Sequence, residues 1–74
     1  MANPLQEAFA EILLDRITSD RYPSSTHMDM FESLAPPRQR VQFVLYLLDR
    51  IASDAHPSIP MMQRAQRLVM GFGS

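Results

Sequence analysis

The sequence contains no cysteine, so no disulfide can stabilise this 74-residue chain and no thiolate can bind zinc. A chain of this length buries only about 60% of the surface that its unfolded form exposes, which leaves a marginal core. Small domains without crosslinks often depend on oligomerisation or on a partner. Hydrophobic residues nevertheless make up 46% of the chain, a level typical of globular domains.

Lysine is also absent, and all seven basic residues are arginine. The net charge is −1, but the charges are unevenly distributed along the chain. Residues 1–34 contain six acidic and two basic side chains (net −4), whereas residues 35–74 contain two acidic and five basic ones (net +3). We expect the opposite charges of the two halves to orient contacts within the chain or between copies.

Long hydrophobic runs are missing from the sequence. The longest run, Phe43–Leu48, is far shorter than the ~20 apolar residues of a membrane-spanning helix. Residues 1–9 lack the charged start and the apolar stretch of a signal peptide. We therefore expect a cytoplasmic protein that does not enter a membrane.

One stretch of the sequence occurs twice. LLDRITSDRYPS (residues 13–24) and LLDRIASDAHPS (residues 47–58) share nine of twelve residues at an offset of 34. Periods of this length are typical of helical solenoid repeats, but two copies are too few for an array. We predict that the copies pack as one four-helix unit with approximate two-fold symmetry, with a side-by-side or swapped homodimer as the variant.

Capping residues predict where the helices begin and end. The predicted N-caps are Asn3, Ser24 and Ser58, with Thr26 as a rival to Ser24. Prolines that fit a first helical turn are Pro4, Pro37 and Pro60. Gly71 is the predicted C-terminal stop of the last helix.

Apolar spacing predicts which helix faces are buried. The predicted faces are Leu5, Phe9, Ile12 and Leu13 in the first helix, widened by Ala10, Leu14 and Ile17; Met28, Phe31 and Leu34 in the second; Val41, Val44, Leu45, Leu48 and Ile51 in the third, with Phe43 and Leu47 as a second stripe; and Met61, Ala65, Leu68 and Val69 in the fourth. Since the third helix is apolar over most of its circumference, we expect it to be buried on several sides.

The sequence therefore predicts an all-α fold. We expect four helices arranged as two tandem αα-hairpins, in the order long–short–long–short, with a pseudo-two-fold repeat of about 34 residues. Residues 1–74 should form a single helical domain, with one repeat at about 4–35 and the other at about 37–70.

No residue pattern points to catalysis, a metal or a cofactor. The segment Ser24–His27 combines hydroxyls with a histidine, but a nucleophile needs a base that is itself held by a third group. Serine at a helix start is explained better by capping. The two histidines, His27 and His56, are 29 positions apart and make a poor metal-binding signature. We expect a protein that is not an enzyme and binds no cofactor.

Our leading functional prediction is a small protein–protein interaction module: an adaptor, a modulator or a subunit. Its partner would be another protein or a second copy, in a homodimer or larger assembly, bound by apolar helix faces. Methionine suits surfaces that adapt to a partner, and the chain contains six methionines. The predicted contact residues are Leu5, Phe9, Met30, Phe43, Met62 and Phe72. A structural homo-oligomer with no other ligand is an alternative.

A second alternative is a helix-turn-helix regulator that reads DNA with the fourth helix. In that hypothesis Gln63, Arg64 and Arg67 approach the base edges, and Arg38 and Arg40 contact phosphates. The low isoelectric point of about 6.0 and the absence of lysine argue against it, because phosphate contacts usually require a clear basic patch. We therefore expect no nucleic acid among the partners.

Two segments carry a resemblance to known proteins: DRYPSSTHMDMFESL (residues 20–34) and LLDRIASDAHPSIPMMQRAQRL (residues 47–68). Together they resemble small actinobacterial and actinophage-type proteins with tandem helical units of the form D-R-Y-P-S…M. The second copy departs from the pattern, with Ala55 and His56 in place of Arg21 and Tyr22. The resemblance implies a small bacterial or phage protein with repeated helices, and it implies no functional residue.

Overall fold

The computed structural model of the protein describes residues 3–20 and 23–72, and these residues form four helices. The helices are α1 (Pro4–Ser19), α2 (Ser25–Leu34), α3 (Pro37–Ser53) and α4 (Ile59–Phe72). The prediction of an all-helical chain is confirmed. The packing of α1 on α2 and of α3 on α4 is consistent with two helical hairpins.

The chain divides into two compact units, Met1–Val41 and Gln42–Ser74. The division falls inside α3, so the first turn of this helix belongs with α1 and α2. The second unit contains the remainder of α3 together with α4. The predicted repeats meet near residue 36, between α2 and α3, and their bounds stay a prediction.

The predicted N-caps are confirmed. The Asn3 side chain accepts a hydrogen bond from the backbone N–H of Gln6 at 2.7 Å. Ser24 caps α2 by accepting from the N–H of His27 at 3.4 Å, and the rival Thr26 lies inside the helix. Ser58 accepts from the N–H of Met61 at 3.2 Å. Each cap satisfies one of the N–H groups that the first helical turn leaves without a partner.

The prediction that Gly71 ends the last helix is wrong, because α4 continues to Phe72. Glycine stops a helix when it takes the left-handed conformation after the last turn. No glycine among the described residues has a positive φ, so Gly71 remains in ordinary helical geometry. A single glycine costs about 1 kcal/mol within a helix, which does not by itself break one.

In the first unit, the core is formed by one face of α1 and one face of α2. Ala10, Leu13 and Ile17 are buried on α1, and Met28 and Phe31 are buried on α2. The predicted α2 face is therefore correct for Met28 and Phe31, and its third member Leu34 is half-buried. The predicted α1 face is only partly correct, because its other members Leu5, Phe9 and Ile12 are exposed.

In the second unit, α3 buries Phe43, Val44 and Leu47, and α4 buries Ala65. The primary stripe predicted for α3 is largely wrong, because Leu45 and Leu48 of this unit and Val41 of the first unit are exposed. Its member Val44 is buried together with Phe43 and Leu47 of the second stripe. Both stripes are apolar, so the spacing alone does not determine which one faces inward. Val69 of α4, also predicted to be buried, is exposed as well.

Candidate interaction surfaces

The C-terminus of α2 lacks two backbone donors because prolines follow it. An α-helical carbonyl accepts from the N–H four residues later, and proline has no N–H. The carbonyls of Glu32 and Ser33 precede Pro36 and Pro37 by four residues, so neither can receive its usual helical hydrogen bond. Side chains from other parts of the first unit supply replacement donors near this helix end.

Arg40, on the first turns of α3, is the main replacement donor. Its Nε donates to the carbonyl of Ala35 at 3.1 Å, and its Nη2 donates to the carbonyl of Glu32. A cation at a helix C-terminus is also favoured by the helix dipole. Arg40 therefore caps α2, and the phosphate contact that the DNA-binding hypothesis assigns to it stays a prediction.

Two glutamines complete this polar connection within the first unit. Gln6 of α1 donates from Nε2 to the carbonyl of Leu34 at 2.6 Å. Gln39 of α3 is buried, and its Nε2 donates to the carbonyl of Glu7 at 3.4 Å. The Gln39 Oε1 is buried without a hydrogen-bond partner among the described residues. These side chains tie α1, α2 and the start of α3 together, so they belong to the fold and not to a binding surface.

An apolar surface lies on α1, and none of the polar side chains described above belongs to it. We call it the α1 outer face. It consists of Leu5, Phe9 and Ile12, spaced four and three residues apart; all three are exposed, with Leu5 at 83%. A shallow depression next to it is lined by Ala8, Glu11, Ile12 and Asp15. The face therefore has an acidic edge.

A second apolar surface lies on α3, and we call it the α3 seam. It consists of Val41, Leu45, Leu48 and Ala52, all exposed, spaced four, three and four residues apart. Leu45 is 60% exposed. This alternation is the a/d spacing by which helices pair in coiled coils.

The predicted contact residues fall into two groups. Leu5, Phe9, Met30, Met62 and Phe72 are exposed, as a contact role requires. Phe43 is fully buried, with 0% of its side chain exposed, so its inclusion in a contact surface is wrong. The Phe43 ring lies in the core of the second unit.

The residues proposed for DNA reading are spread over different environments. Gln63 and Arg67 on α4 and Arg38 on α3 are exposed, whereas Arg64 is half-buried. Arg64 and Arg67 both take part in noncovalent interactions within the chain. Arg40 donates to the carbonyls of Ala35 and Glu32 at the end of α2.

Sequence reasoning missed several exposed apolar residues: Ile12, Val41, Leu45, Leu48, Ile59, Val69 and Met70. The apolar spacing predicts most of these residues to lie on buried helix faces. In α3 two apolar stripes satisfy the same helical spacing, so the spacing does not distinguish the exposed stripe from the buried one.

Within residues 3–20 and 23–72, no three histidine, cysteine or acidic side chains are grouped as metal ligands would be. No described helix combines the length and apolarity that crossing a bilayer requires.

The resemblance to small actinobacterial and phage proteins stays a prediction. Comparisons of the chain with family models, with curated proteins and with solved structures gave no match.

Proposed function

We propose that the protein is a non-enzymatic interaction module, and that its α1 outer face binds an amphipathic helix of a partner protein. Each of the helices α1 and α3 contributes one face to a core and keeps a second apolar face exposed. Contiguous exposed apolar side chains on a folded protein are typical of an interaction site. Leu5, Phe9 and Ile12 supply such a set on one helix.

The observation that carries the proposal is a comparison between Phe9 and Phe43. The two residues are equivalent under the sequence offset of 34. Phe43 is fully buried, whereas Phe9 is 42% exposed. The same phenylalanine is thus covered in one copy of the repeat and uncovered in the other, and we infer that a partner covers Phe9.

The neighbouring positions support the same reading. The counterparts of Leu5 and Ile12 are Gln39, which is buried, and Tyr46, which is half-buried. All three positions of the α1 outer face therefore have a better covered counterpart on α3. We infer that the two hairpins are copies of one unit in which this face is normally covered.

Local structure supports the duplicated unit. Ser19 and Ser53, the last residues of α1 and α3, are 34 positions apart. Both hydroxyls donate to a carbonyl four residues earlier: Ser19 to Asp15 at 2.5 Å and Ser53 to Asp49 at 2.8 Å. The capping serines Ser24 and Ser58 share the same offset.

Charge indicates what kind of partner helix would fit. Glu11 and Asp15 line one edge of the α1 outer face, and Arg16 lies at its C-terminal end. A partner helix with an apolar stripe and a basic edge would complement the acidic edge formed by Glu11 and Asp15. Opposite charges of this kind raise association rates and fix orientation more than they add affinity.

A photocrosslinking experiment tests the proposal. Benzoylphenylalanine is incorporated at position 9 or 12, and separately at position 18, in the cells that make the protein. Nine residues separate positions 9 and 18, so they point to opposite sides of α1. We expect positions 9 and 12, but not position 18, to crosslink one identifiable protein that binds the purified chain directly.

Phe9→Asp should then raise the dissociation constant for that purified protein at least about 30-fold, the effect of losing a buried aromatic anchor. Thr18→Asp is the matched control and should leave the constant unchanged. Equal crosslinking from all three positions, or equal affinity of the two variants, would contradict the proposal.

A further inference from the structure

We propose that the α3 seam binds a second copy of the chain, with the two α3 helices antiparallel. The proposal extends the interaction module to a second surface and a different occupant. It concerns Val41, Leu45, Leu48 and Ala52, none of which belongs to the α1 outer face. Failure of one proposal therefore leaves the other intact.

The spacing of the seam fits helix–helix pairing. A sustained four–three–four alternation keeps one narrow apolar line on the same side of a helix over several turns. The opposite side of α3 is already occupied by the buried Phe43 and Leu47. The helix therefore has one face in the core and another suited to a partner helix.

The charges at the two ends of the seam identify the partner as a second copy. Arg38 lies before the seam's first residue and Asp49 lies near its last turn, and both are exposed. Neither side chain has a hydrogen bond or an ion pair among the described residues. One end of the seam is therefore basic and the other acidic.

Helix geometry places these two charges on the same edge. They are 11 residues apart, close to three full turns of 3.6 residues, or roughly 16 Å along the helix axis. A two-fold axis perpendicular to the helix exchanges the two ends and brings like edges together. In such a pair, Arg38 of each copy meets Asp49 of the other, so two equivalent ion pairs form.

The register follows from this pairing. Val41 of each copy lies opposite Leu45 of the other, which forms the apolar centre, and Leu48 packs beneath the aliphatic stem of Arg38. A parallel in-register pair would instead keep each Arg38 roughly 16 Å along the axis from the Asp49 of the other copy, so neither ion pair could form. A closed two-fold dimer is also the commonest form of homo-oligomer.

Charge reversal tests the antiparallel arrangement. Arg38→Asp adds an acid to the first turn of α3, and Asp49→Arg adds a base near its end, so the helix dipole favours both changes. Each single variant should therefore fold, which circular dichroism checks. Sedimentation equilibrium of the wild type should show a monomer–dimer equilibrium, and each single variant should weaken it at least about tenfold.

Mixing the variants gives the decisive result. An R38D chain and a D49R chain have complementary ends, so their equimolar mixture should form heterodimers, which native mass spectrometry resolves by mass. The double variant R38D/D49R should regain self-association. A wild type that stays at 8.5 kDa over the whole concentration range would overturn the proposal. So would an R38D chain that pairs with the wild type better than with D49R.

The Leu45→Asp variant separates this proposal from the α1 proposal. It should abolish self-association without unfolding the chain, because Leu45 is already 60% exposed. Crosslinking from position 9 to another protein should persist in this variant. Loss of that crosslink together with dimerisation would show that a single surface serves both, and would overturn the assignment of separate occupants.

Discussion

Leu47→Ala should lower the free energy of unfolding by about 2–5 kcal/mol, whereas Leu48→Ala should lower it by less than about 1 kcal/mol. The two leucines are neighbours on α3 and differ in burial: Leu47 is fully buried, and Leu48 is 44% exposed. The same side-chain change in the same helix thus tests which face of α3 forms the core. Urea unfolding, followed by circular dichroism, provides the measurement.

The comparison needs a low protein concentration, because self-association by the α3 seam would add apparent stability. A domain of this size is stable by only about 4–11 kcal/mol in total, so Leu47→Ala can leave the chain unfolded. The milder substitutions Leu47→Val and Leu48→Val then leave both variants stable enough for the unfolding free energy to be measured. Both replace leucine by valine, so the change in helix propensity is the same at the two positions. A larger loss of unfolding free energy at position 48 than at position 47 would show that the face of α3 with Leu48, and not the face with Leu47, lies in the core.

Arg40→Met should lower the free energy of unfolding by about 2–3 kcal/mol, the second largest effect that we expect. The substitution keeps the aliphatic length of the side chain and its helix propensity. It removes the donors for the carbonyls of Glu32 and Ala35, which lie beside the two prolines that end α2. Those partly buried carbonyls would then have to find water or remain without donors.

Arg16→Met is the matched control for this substitution. Arg16 is exposed in the last turn of α1 and forms no ion pair among the described residues, so its loss should cost less than about 0.5 kcal/mol. The loss of unfolding free energy in Arg40→Lys should lie between those of Arg40→Met and Arg16→Met. An ammonium group retains the positive charge but lacks the planar, forked donors of a guanidinium group. If Arg40→Met and Arg16→Met had equal unfolding free energies, Arg40 would have no capping role.

The sequence was most informative where structure depends on nearby residues. Asn3, Ser24 and Ser58 act within three positions along the chain, and all three N-caps are where residue type predicts them. Gly71 was the exception, because glycine permits a helix stop without enforcing one. Helix boundaries of this kind follow from local hydrogen bonding and proline geometry.

The orientation of α3 could not be predicted in the same way. Its two apolar stripes satisfy the same periodicity, and only tertiary packing determines that Phe43 and Leu47 are buried while Leu45 and Leu48 are exposed. As a result, the sequence predicts Phe43 both in a second apolar stripe and on a contact surface, and it predicts Val41, Leu45 and Leu48 of the seam to be buried. An apolar helix with two candidate faces carries this ambiguity in any short sequence.

The polar contacts around α2 were missed for a different reason. Gln6 and the carbonyl of Leu34 are 28 positions apart, and so distant a pair has no local signature. The Arg40 cap had a usable signal, because consecutive prolines after a helix remove donors at known positions. An arginine four residues beyond Pro36 is well placed to compensate for that loss.

The central claim is that the α1 outer face belongs to binding and not to the core. The most direct test is the unfolding free energy of the triple variant Leu5→Gln, Phe9→Gln, Ile12→Gln, measured in urea against the wild type. Glutamine is a good helix former, and these side chains are already exposed, so we expect a change of less than about 1 kcal/mol. A loss of several kcal/mol, as expected for Leu47→Ala, would place the face in the core and contradict the account.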